Sequence, residues 1–179
     1  MNIPLFKWAL WGFITTSVAG CLSHFLHEFS RRSRLAACIS PVNESVWEHL
    51  KLLYFPCIVY SAVEYAVSSP DIRTLWGRCC GLCAALLLMI VVYYTYTGVI
   101  GRGFLPADIA LFFICDACCF GLSYRLGAYF PVPSAVEAWS WVALTALFGV
   151  CLVLFTFITP PIALFADPQT GRFGLKARG

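Results

Sequence analysis

Two short segments of the chain place imidazole and carboxylate groups beside long apolar runs. The first ends an apolar run with His24 and Glu28, and the second begins one with Glu44, Glu48 and His49. Both runs are of membrane-spanning length, so these groups lie at or inside the edge of a bilayer. Charge in hydrocarbon is costly and usually persists there for function or for tight internal pairing. These five residues are therefore the first candidates for a functional site.

The spacing of these groups indicates metal chemistry or proton transfer. His24 and Glu28 are four residues apart, as are Glu44 and Glu48, and residues so spaced share one face of a helix. Two such faces opposing each other would gather ligands that suit zinc, iron or manganese, and imidazole also suits a proton relay. The predicted ligands of a divalent metal such as zinc are His24, Glu28, Glu48 and His49. The predicted catalytic residues are Glu44 and Glu48, with Glu44 as the base.

A purely structural explanation of the same residues stays open at this point. Glu44, in the first turn of a helix, would be favoured by the helix dipole. Glu48 can pair with Lys51 one turn later, and Glu28 is close to Arg31. The spacing also lacks the His-Glu-x-x-His pattern of a zinc protease helix. Interfacial capping and pairing therefore compete with the metal site.

The composition is that of an integral membrane protein. Hydrophobic residues make up 60% of the 179 residues and charged residues 12%, whereas a soluble domain has about 25% charged residues. The lipid bilayer is thus the first expected partner. The net charge of +3 is mild and spread over loops, which gives no reason to expect nucleic acid. Most of the ten cysteines lie within apolar runs, so we expect packed thiols and no disulfides.

Five apolar segments are long enough to cross a membrane as helices. They lie at roughly Leu5–Phe29, Val46–Val67, Cys79–Val99, Pro106–Leu126 and Ser134–Ile158. Asn43 is a good N-cap residue, so the second helix is expected to start there. The segments lack the alternating pattern of barrel strands. The sequence therefore predicts an all-α, polytopic membrane protein, with a bundle of five transmembrane helices over residues 1–159. Residues 160–179 are expected to form a cytoplasmic-side tail folded on the bundle.

The distribution of lysine and arginine predicts how the bundle is oriented. One side of the membrane would carry Arg31, Arg32, Arg34, Arg102, Arg172, Lys176 and Arg178, with Lys51 at its edge. The other side would carry Lys7, Arg73, Arg78 and Arg125. The more positive side is predicted to be cytoplasmic, which puts the N-terminus outside and the C-terminus inside. Tyr93–Thr97 and Asp108 also fall on that cytoplasmic side.

Two further acidic residues lie within the apolar segments. Asp116 falls near the middle of the fourth segment, roughly 12 Å beyond Asp108 at the rise of an α-helix. It must face the bundle interior or a water-filled cavity, and it is a separate intramembrane polar candidate. Glu64 lies near the far end of the second segment and is expected to be an interfacial anchor.

The chain resembles a family of small bacterial integral membrane proteins of unknown function. The longest match is the signature Asn-Glu-Ser-x-Trp-Glu-His-Leu-Lys at residues 43–51. The other matching residues are Gly20, His24 and Glu28, then Pro41, Val42 and Pro56, then Tyr94–Gly98 and Ser123–Arg125, and finally Pro160, Pro161, Phe165, Asp167, Pro168, Gly171 and Gly174. The resemblance implies a five-helix protein of the bacterial inner membrane, supports the existence of a site, and supplies no reaction.

Three kinds of function fit this sequence. A membrane-embedded, metal-dependent enzyme acting on a lipid-like substrate would use the His/Glu site. A small proton- or cation-coupled transporter would use the carboxylates and Asp116. A structural subunit of a membrane complex would dock a partner through its polar face. The sequence leaves open whether the chain is an enzyme, whether a metal binds, and what its oligomeric state is.

Overall fold

Five long helices form the molecule, and the computed structural model describes residues 4–175. The long helices are α1 (Leu5–Ser23), α4 (Val46–Ser68), α5 (Ile72–Ile100), α6 (Leu105–Tyr129) and α7 (Ala135–Phe157). Two short helices, α2 (Leu26–Phe29) and α3 (Arg34–Ile39), connect α1 to α4, and a 3-10 turn (Ala163–Phe165) follows α7. All five long helices are long and apolar enough to cross a membrane. The predicted all-α fold with five spans is confirmed.

Short connections make successive long helices run in opposite directions. α5 packs most extensively against α6, while α1 packs against α4 and α6, and α7 against α5. The ends of α1, α5 and α7 therefore meet the starts of α4 and α6 at one end of the bundle, called here the cavity face. Large apolar side chains stand exposed on the outer surfaces of the helices, including Leu22, Val63 and Leu147. A surface of that kind suits contact with lipid and not with water.

Three helix ends differ from the sequence expectations, each for a local reason. α1 ends at Ser23, because the backbone tightens there and the amide of Phe25 bonds to the carbonyl of Leu22. α4 is capped by Ser45 and not by Asn43, and the Ser45 hydroxyl accepts a hydrogen bond from the amide of Glu48.

α5 begins seven residues earlier than expected. The Asp71 carboxylate caps its N-terminus by accepting from the amide of Thr74 at 2.9 Å. Arg73 and Arg78 therefore lie within the helix and not in a linker. Arg78 is buried and pairs with Glu64 of α4 at 2.5 Å, so its charge is compensated inside the bundle. Glu64 is thus a buried ion-pair partner and not an interfacial anchor.

A buried ion pair joins three helices at the cavity face. Lys51 is 0% exposed, and its ammonium contacts Glu48 at 2.7 Å, the carbonyl of Ala37 at 2.8 Å and the hydroxyl of Thr156 at 2.5 Å. The Glu48 carboxylate also accepts from the Thr156 hydroxyl and from the amide of Val42. All three ammonium protons have acceptors, which is what a buried charge requires. The pair therefore fixes α3, α4, α7 and the segment before α4 relative to one another.

The segment after α7 returns over the same end of the bundle. Phe165 is buried against Trp47, with ring centroids 4.8 Å apart. Further along, the Asn43 amide donates to the carbonyl of Gly174 at 3.0 Å. Gly174 has a φ of +58°, a conformation that favours glycine. These contacts attach residues 160–175 to the start of α4, while Lys176 and Arg178 lie outside the described residues.

Replacing Lys51 by methionine should destabilise the bundle strongly. Methionine keeps most of the apolar volume but leaves the Glu48 carboxylate buried without a cation, which costs about 3–5 kcal/mol. We expect the free energy of unfolding to fall by about that amount in detergent, measured by denaturant titration followed by circular dichroism.

Two further variants make this measurement specific. The double variant Glu48→Gln, Lys51→Met removes both charges and should recover part of the lost stability. Arg125→Met removes a cation from an exposed position of α6 and serves as the control. A loss in Lys51→Met no larger than in Arg125→Met would contradict a structural role for the pair.

Candidate metal centre

Three side chains from the ends of α1 and α4 converge at the cavity face. Nε2 of His49 lies 3.4 Å from a carboxylate oxygen of Glu44, and Nε2 of His24 lies 3.9 Å from the same oxygen. One ligand atom from each residue can be chosen so that all three lie within 4.8 Å of one another. The two imidazole rings are 5.4 Å apart between centroids. This spacing allows all three groups to bind one ion.

Local backbone structure positions each member of this group. His24 is the C-cap residue of α1 and keeps a helical backbone, with its amide bonded to the carbonyl of Gly20. Glu44 precedes the N-cap residue of α4 and is therefore outside that helix. His49 stands in the first turn of α4. The group is thus built from two helix ends and not from the two helix faces that the spacing predicted.

A hydrogen bond orients the ring of His49 for ligation. Its Nδ1 lies 3.0 Å from the carbonyl oxygen of Ser45. A carbonyl can only accept, so Nδ1 carries the hydrogen and donates it. Nε2 of the same ring then faces the carboxylate of Glu44. Metal-binding histidines in proteins are commonly held this way, with the second nitrogen bonded to a carbonyl or carboxylate.

The side chains of His49 and Glu44 can share a cation. Nε2 of His49 and a carboxylate oxygen of Glu44 face each other at 3.4 Å, and either a proton or a metal ion can lie between them. Two imidazoles and one carboxylate form the ligand set of several catalytic zinc sites and of non-haem iron sites, which keep further positions open. The donor set therefore fits a divalent metal.

The three residues open onto a cavity of about 700 Å³. Their side chains are partly exposed, at 34% for His24, 21% for Glu44 and 29% for His49. The tail covers another side of the cavity through Ala163, Ala166, Pro168 and Gln169. A metal held here would be accessible from the cavity while remaining shielded from bulk water.

The cavity has a polar wall and an apolar wall. The polar wall comes from the end of α5 and the start of α6 and includes Tyr93, Thr97, Arg102 and Asp108. The hydroxyl of Tyr96 donates to the Asp108 carboxylate and holds it in place. The apolar wall is formed by Leu52, Met89, Leu111 and Phe112. Both chemistries meet in one space, which suits a molecule with a polar head and an apolar chain.

Glu48, predicted as ligand and catalytic residue, is placed elsewhere. Both of its carboxylate oxygens are engaged, by Lys51, Thr156 and the amide of Val42. It is 2% exposed and does not line the cavity within residues 4–175. The physical reason is that Glu44 lies before the helix, so Glu44 and Glu48 do not share a helical face.

Glu28, the other predicted ligand, is also separated from the group. It lies exposed in α2, which is a distinct short helix beginning after the break at His24 and Phe25. The helical hydrogen bonding is interrupted between the two residues, where the amide of Phe25 bonds to the carbonyl of Leu22, and the converging group among the described residues does not include Glu28. Of the predicted ligands, the structure therefore brings His24 and His49 together, and it adds Glu44, which was predicted as the base.

His27, a neighbour of the site in sequence, is enclosed instead of exposed to the cavity. It is 5% exposed, and its amide donates to the hydroxyl of Ser40. Burial lowers the pKa of His27 below its usual value, and the positive charge of Arg32 lowers it further. The ring of His27 is thus enclosed beside α3 and does not line the cavity among the described residues.

Sequence reasoning missed several groups near or below the site. Arg102 was counted only as a loop charge, although it lines the cavity. Asp116 was expected to face the interior, and it does, with the hydroxyl of Ser17 on α1 as its partner at 2.6 Å. No signal in the sequence named Ser17, because serine is common in membrane helices.

The family comparison covers nearly the whole chain. Residues 2–175 match the model of a family described as a family of unknown function, DUF6512. The chain belongs to this family. Neither a curated protein nor a solved structure matches the chain. Membership in this family assigns no activity to the chain.

Metal binding by the purified protein should depend on the converging group. We expect Co²⁺ or Zn²⁺ to bind with a single ion per chain, detected by the visible spectrum of bound Co²⁺ and by elemental analysis. His24→Ala, Glu44→Gln and His49→Ala should each weaken binding by more than the roughly 10–100-fold that loss of an outer-shell partner costs.

Glu28→Gln is the matched control for this measurement. It removes a carboxylate of the same region whose side chain is exposed on α2, so affinity should stay at the wild-type level. Loss of binding in Glu28→Gln together with unchanged binding in Glu44→Gln would contradict the assignment.

Proposed function

We propose that the protein is a membrane-embedded, metal-dependent enzyme, a hydrolase or transferase acting on a lipid-like substrate. The observation that carries the proposal is the convergence of His24, Glu44 and His49 at the edge of a cavity with one polar and one apolar wall. A metal bound to these residues supplies a Lewis acid that polarises a carbonyl or phosphoryl oxygen.

The cavity walls define the roles of the remaining residues. Leu52, Met89 and Leu111 would receive the apolar chain of the substrate. Arg102, with its fixed positive charge, would attract a polar or anionic head group. The hydroxyls of Tyr93 and Thr97 would orient that head group by hydrogen bonding. The chain of the substrate would then extend toward lipid while the head group lies beside the metal ligands.

The carboxylates at the cavity face would have different roles in this chemistry. Glu44 lies between the two imidazoles, so we assign it to metal binding in preference to the role of a free base. Asp108, held by Tyr96 on the opposite wall, is the carboxylate left available to accept a proton in the cavity. Glu48 would act only by positioning, since its pairing with Lys51 fixes the first turn of α4.

We further propose that the protein resides in a bacterial inner membrane with the cavity face in the cytoplasm. Lys51 and Arg78 are buried in ion pairs, so their charges are not counted when the two faces of the bundle are compared. The remaining cations on the cavity face, among the described residues, are Arg31, Arg32, Arg34, Arg102 and Arg172. Those at the opposite face are Lys7, Arg73 and Arg125. The excess of positive charge favours a cytoplasmic cavity face.

Activity should appear as a metal-dependent change in lipid composition. Wild-type protein in vesicles of a total bacterial lipid extract, supplied with Zn²⁺ or Mn²⁺, should convert one lipid class, detected by mass spectrometry of the extracted lipids. His49→Ala and Asp108→Asn should each reduce turnover by at least about 100-fold, since removal of a group acting in the transition state typically costs 10²–10⁴-fold.

The activity measurement also has a control. Glu28→Gln should keep wild-type turnover, because its side chain lies outside the cavity wall. Metal binding by the wild-type protein combined with an unchanged lipid profile under every metal condition would contradict the enzymatic proposal.

The orientation can be tested by cysteine labelling. On a cysteine-free background, Arg32→Cys and Arg102→Cys should react with a membrane-impermeant maleimide only after the membrane is opened. Lys7→Cys and Arg73→Cys should react in intact cells. Labelling of Arg32→Cys from outside would reverse the orientation.

A further inference from the structure

A second group of polar side chains lies inside the bundle, away from the cavity. Asp116, near the middle of α6, is 0% exposed, and one of its oxygens accepts a hydrogen bond from Ser17 at 2.6 Å. The other oxygen, Oδ1, has no hydrogen-bond partner among the described residues. Thr16, next to Ser17 and 1% exposed, likewise has an unpartnered hydroxyl within the described part of the chain.

The Glu64–Arg78 pair adds further unpartnered atoms. Both residues are buried, and they are joined by a contact of 2.5 Å between Nη2 of Arg78 and Oε2 of Glu64. Within residues 4–175, Nε and Nη1 of Arg78 and Oε1 of Glu64 have no partner. The guanidinium also stacks over the ring of Phe120, 4.4 Å from its centroid. Arg78 is therefore held in place, while Nε and Nη1, which carry three N–H groups, have no partner among the described residues.

One region of the interior contains both the Asp116–Ser17 pair and the Glu64–Arg78 pair. Phe120 follows Asp116 by one turn on α6, so the ring under Arg78 is adjacent to the level of Asp116. The thiols of Cys57 and Cys119 are 3.8 Å apart and connect α4 to α6. The charge of Arg78 acts electrostatically on Asp116 and on both thiols. Helices α1, α4, α5 and α6 all contribute to this region.

The unpartnered atoms determine which molecules can bind in this region of the interior. Arg78 offers only donors, while Oε1 of Glu64 and Oδ1 of Asp116 are acceptors when ionised. Water both donates and accepts, and buried water commonly bonds to polar groups that lack other partners. The ionised groups sum to one net negative charge, from two carboxylates and one guanidinium. A proton on Asp116 neutralises that charge and supplies a donor at the unpartnered oxygen.

We propose that the centre of the bundle contains a hydrated pocket in which Asp116 carries an exchangeable proton. Asp116 is the site of the proton because Glu64 is already paired with Arg78, whereas Asp116 has only the hydroxyl of Ser17. The polar or titratable groups around Asp116 are Ser17, Cys57, Cys115, Cys119 and Arg78. Neither Asp116 nor Arg78 lines the cavity among the described residues, so this pocket is distinct from the metal centre.

Infrared spectroscopy of the full chain in an ester-free detergent tests the proposal. A protonated carboxyl has a C=O stretch separate from those of carboxylates and amides. We expect such a band at neutral pH, absent in Asp116→Asn and shifted to higher frequency in Ser17→Ala, which loses the hydrogen bond but keeps the acid. Glu137→Gln, which alters an exposed carboxylate at the start of α7, should leave the band unchanged.

Exchange into D₂O tests the hydration of the pocket. In a water-filled pocket the band shifts to lower frequency as soon as the solvent is exchanged. A missing band in the wild type, or its persistence in Asp116→Asn, would overturn the protonation. A band that does not shift in D₂O would overturn the hydration. If Asp116→Asn does not fold, the frequency shift in Ser17→Ala decides the assignment, and an unchanged frequency there refutes it.

Discussion

The buried pair of Glu48 and Lys51 is the interaction on which the organisation of the cavity face depends. Removing two charges from water costs several kcal/mol per ion, so such a pair persists only with every donor and acceptor satisfied. Here the ammonium has three acceptors, from α3, α4 and α7, and the carboxylate has further donors from Thr156 and the backbone of Val42. Because these partners come from different parts of the chain, satisfying the pair requires all of them to assemble together.

That requirement determines the geometry of the candidate metal centre. With Glu48 held toward α7, the first turn of α4 cannot rotate, and His49, the next residue, is directed toward α1. Glu44 lies before the helix cap and extends toward the same place, where it meets His24. One helical turn thus separates a carboxylate that stabilises the fold from a group that can bind a ligand. Glu48, which stabilises the fold, and His49, which can bind a ligand, are adjacent in sequence.

Three sets of charged groups lie inside the described part of the helix bundle. Lys51 is paired with Glu48 near the cavity face, and Arg78 is paired with Glu64 toward the opposite face. Asp116 lies between these levels and has only the hydroxyl of Ser17 as a partner. In a medium of low dielectric constant, a complete pairing rigidifies a bundle, whereas an incomplete one attracts water or a proton. The incomplete pairing at Asp116 is therefore the place where the interior can respond to its surroundings.

The sequence by itself determined the all-α fold, the five spans and the end of the bundle that carries the polar groups. The number of spans follows from the length of each apolar segment, and the direction of each span follows from the order of the segments along the chain. Each of these can be read from the sequence one segment at a time. It did not determine which carboxylates meet which imidazoles. The i, i+4 spacings of His24 with Glu28 and of Glu44 with Glu48 predicted shared faces, but helix ends interrupt both. Where a helix ends depends on its capping residues and on contacts with residues distant in sequence. Ala37 and Thr156, which bond to Lys51 near the start of α4, are contacts of this kind. Only the tertiary structure could therefore assign Glu48 to the fold and Glu44 to the site, because a buried charge is placed by the partners that satisfy it.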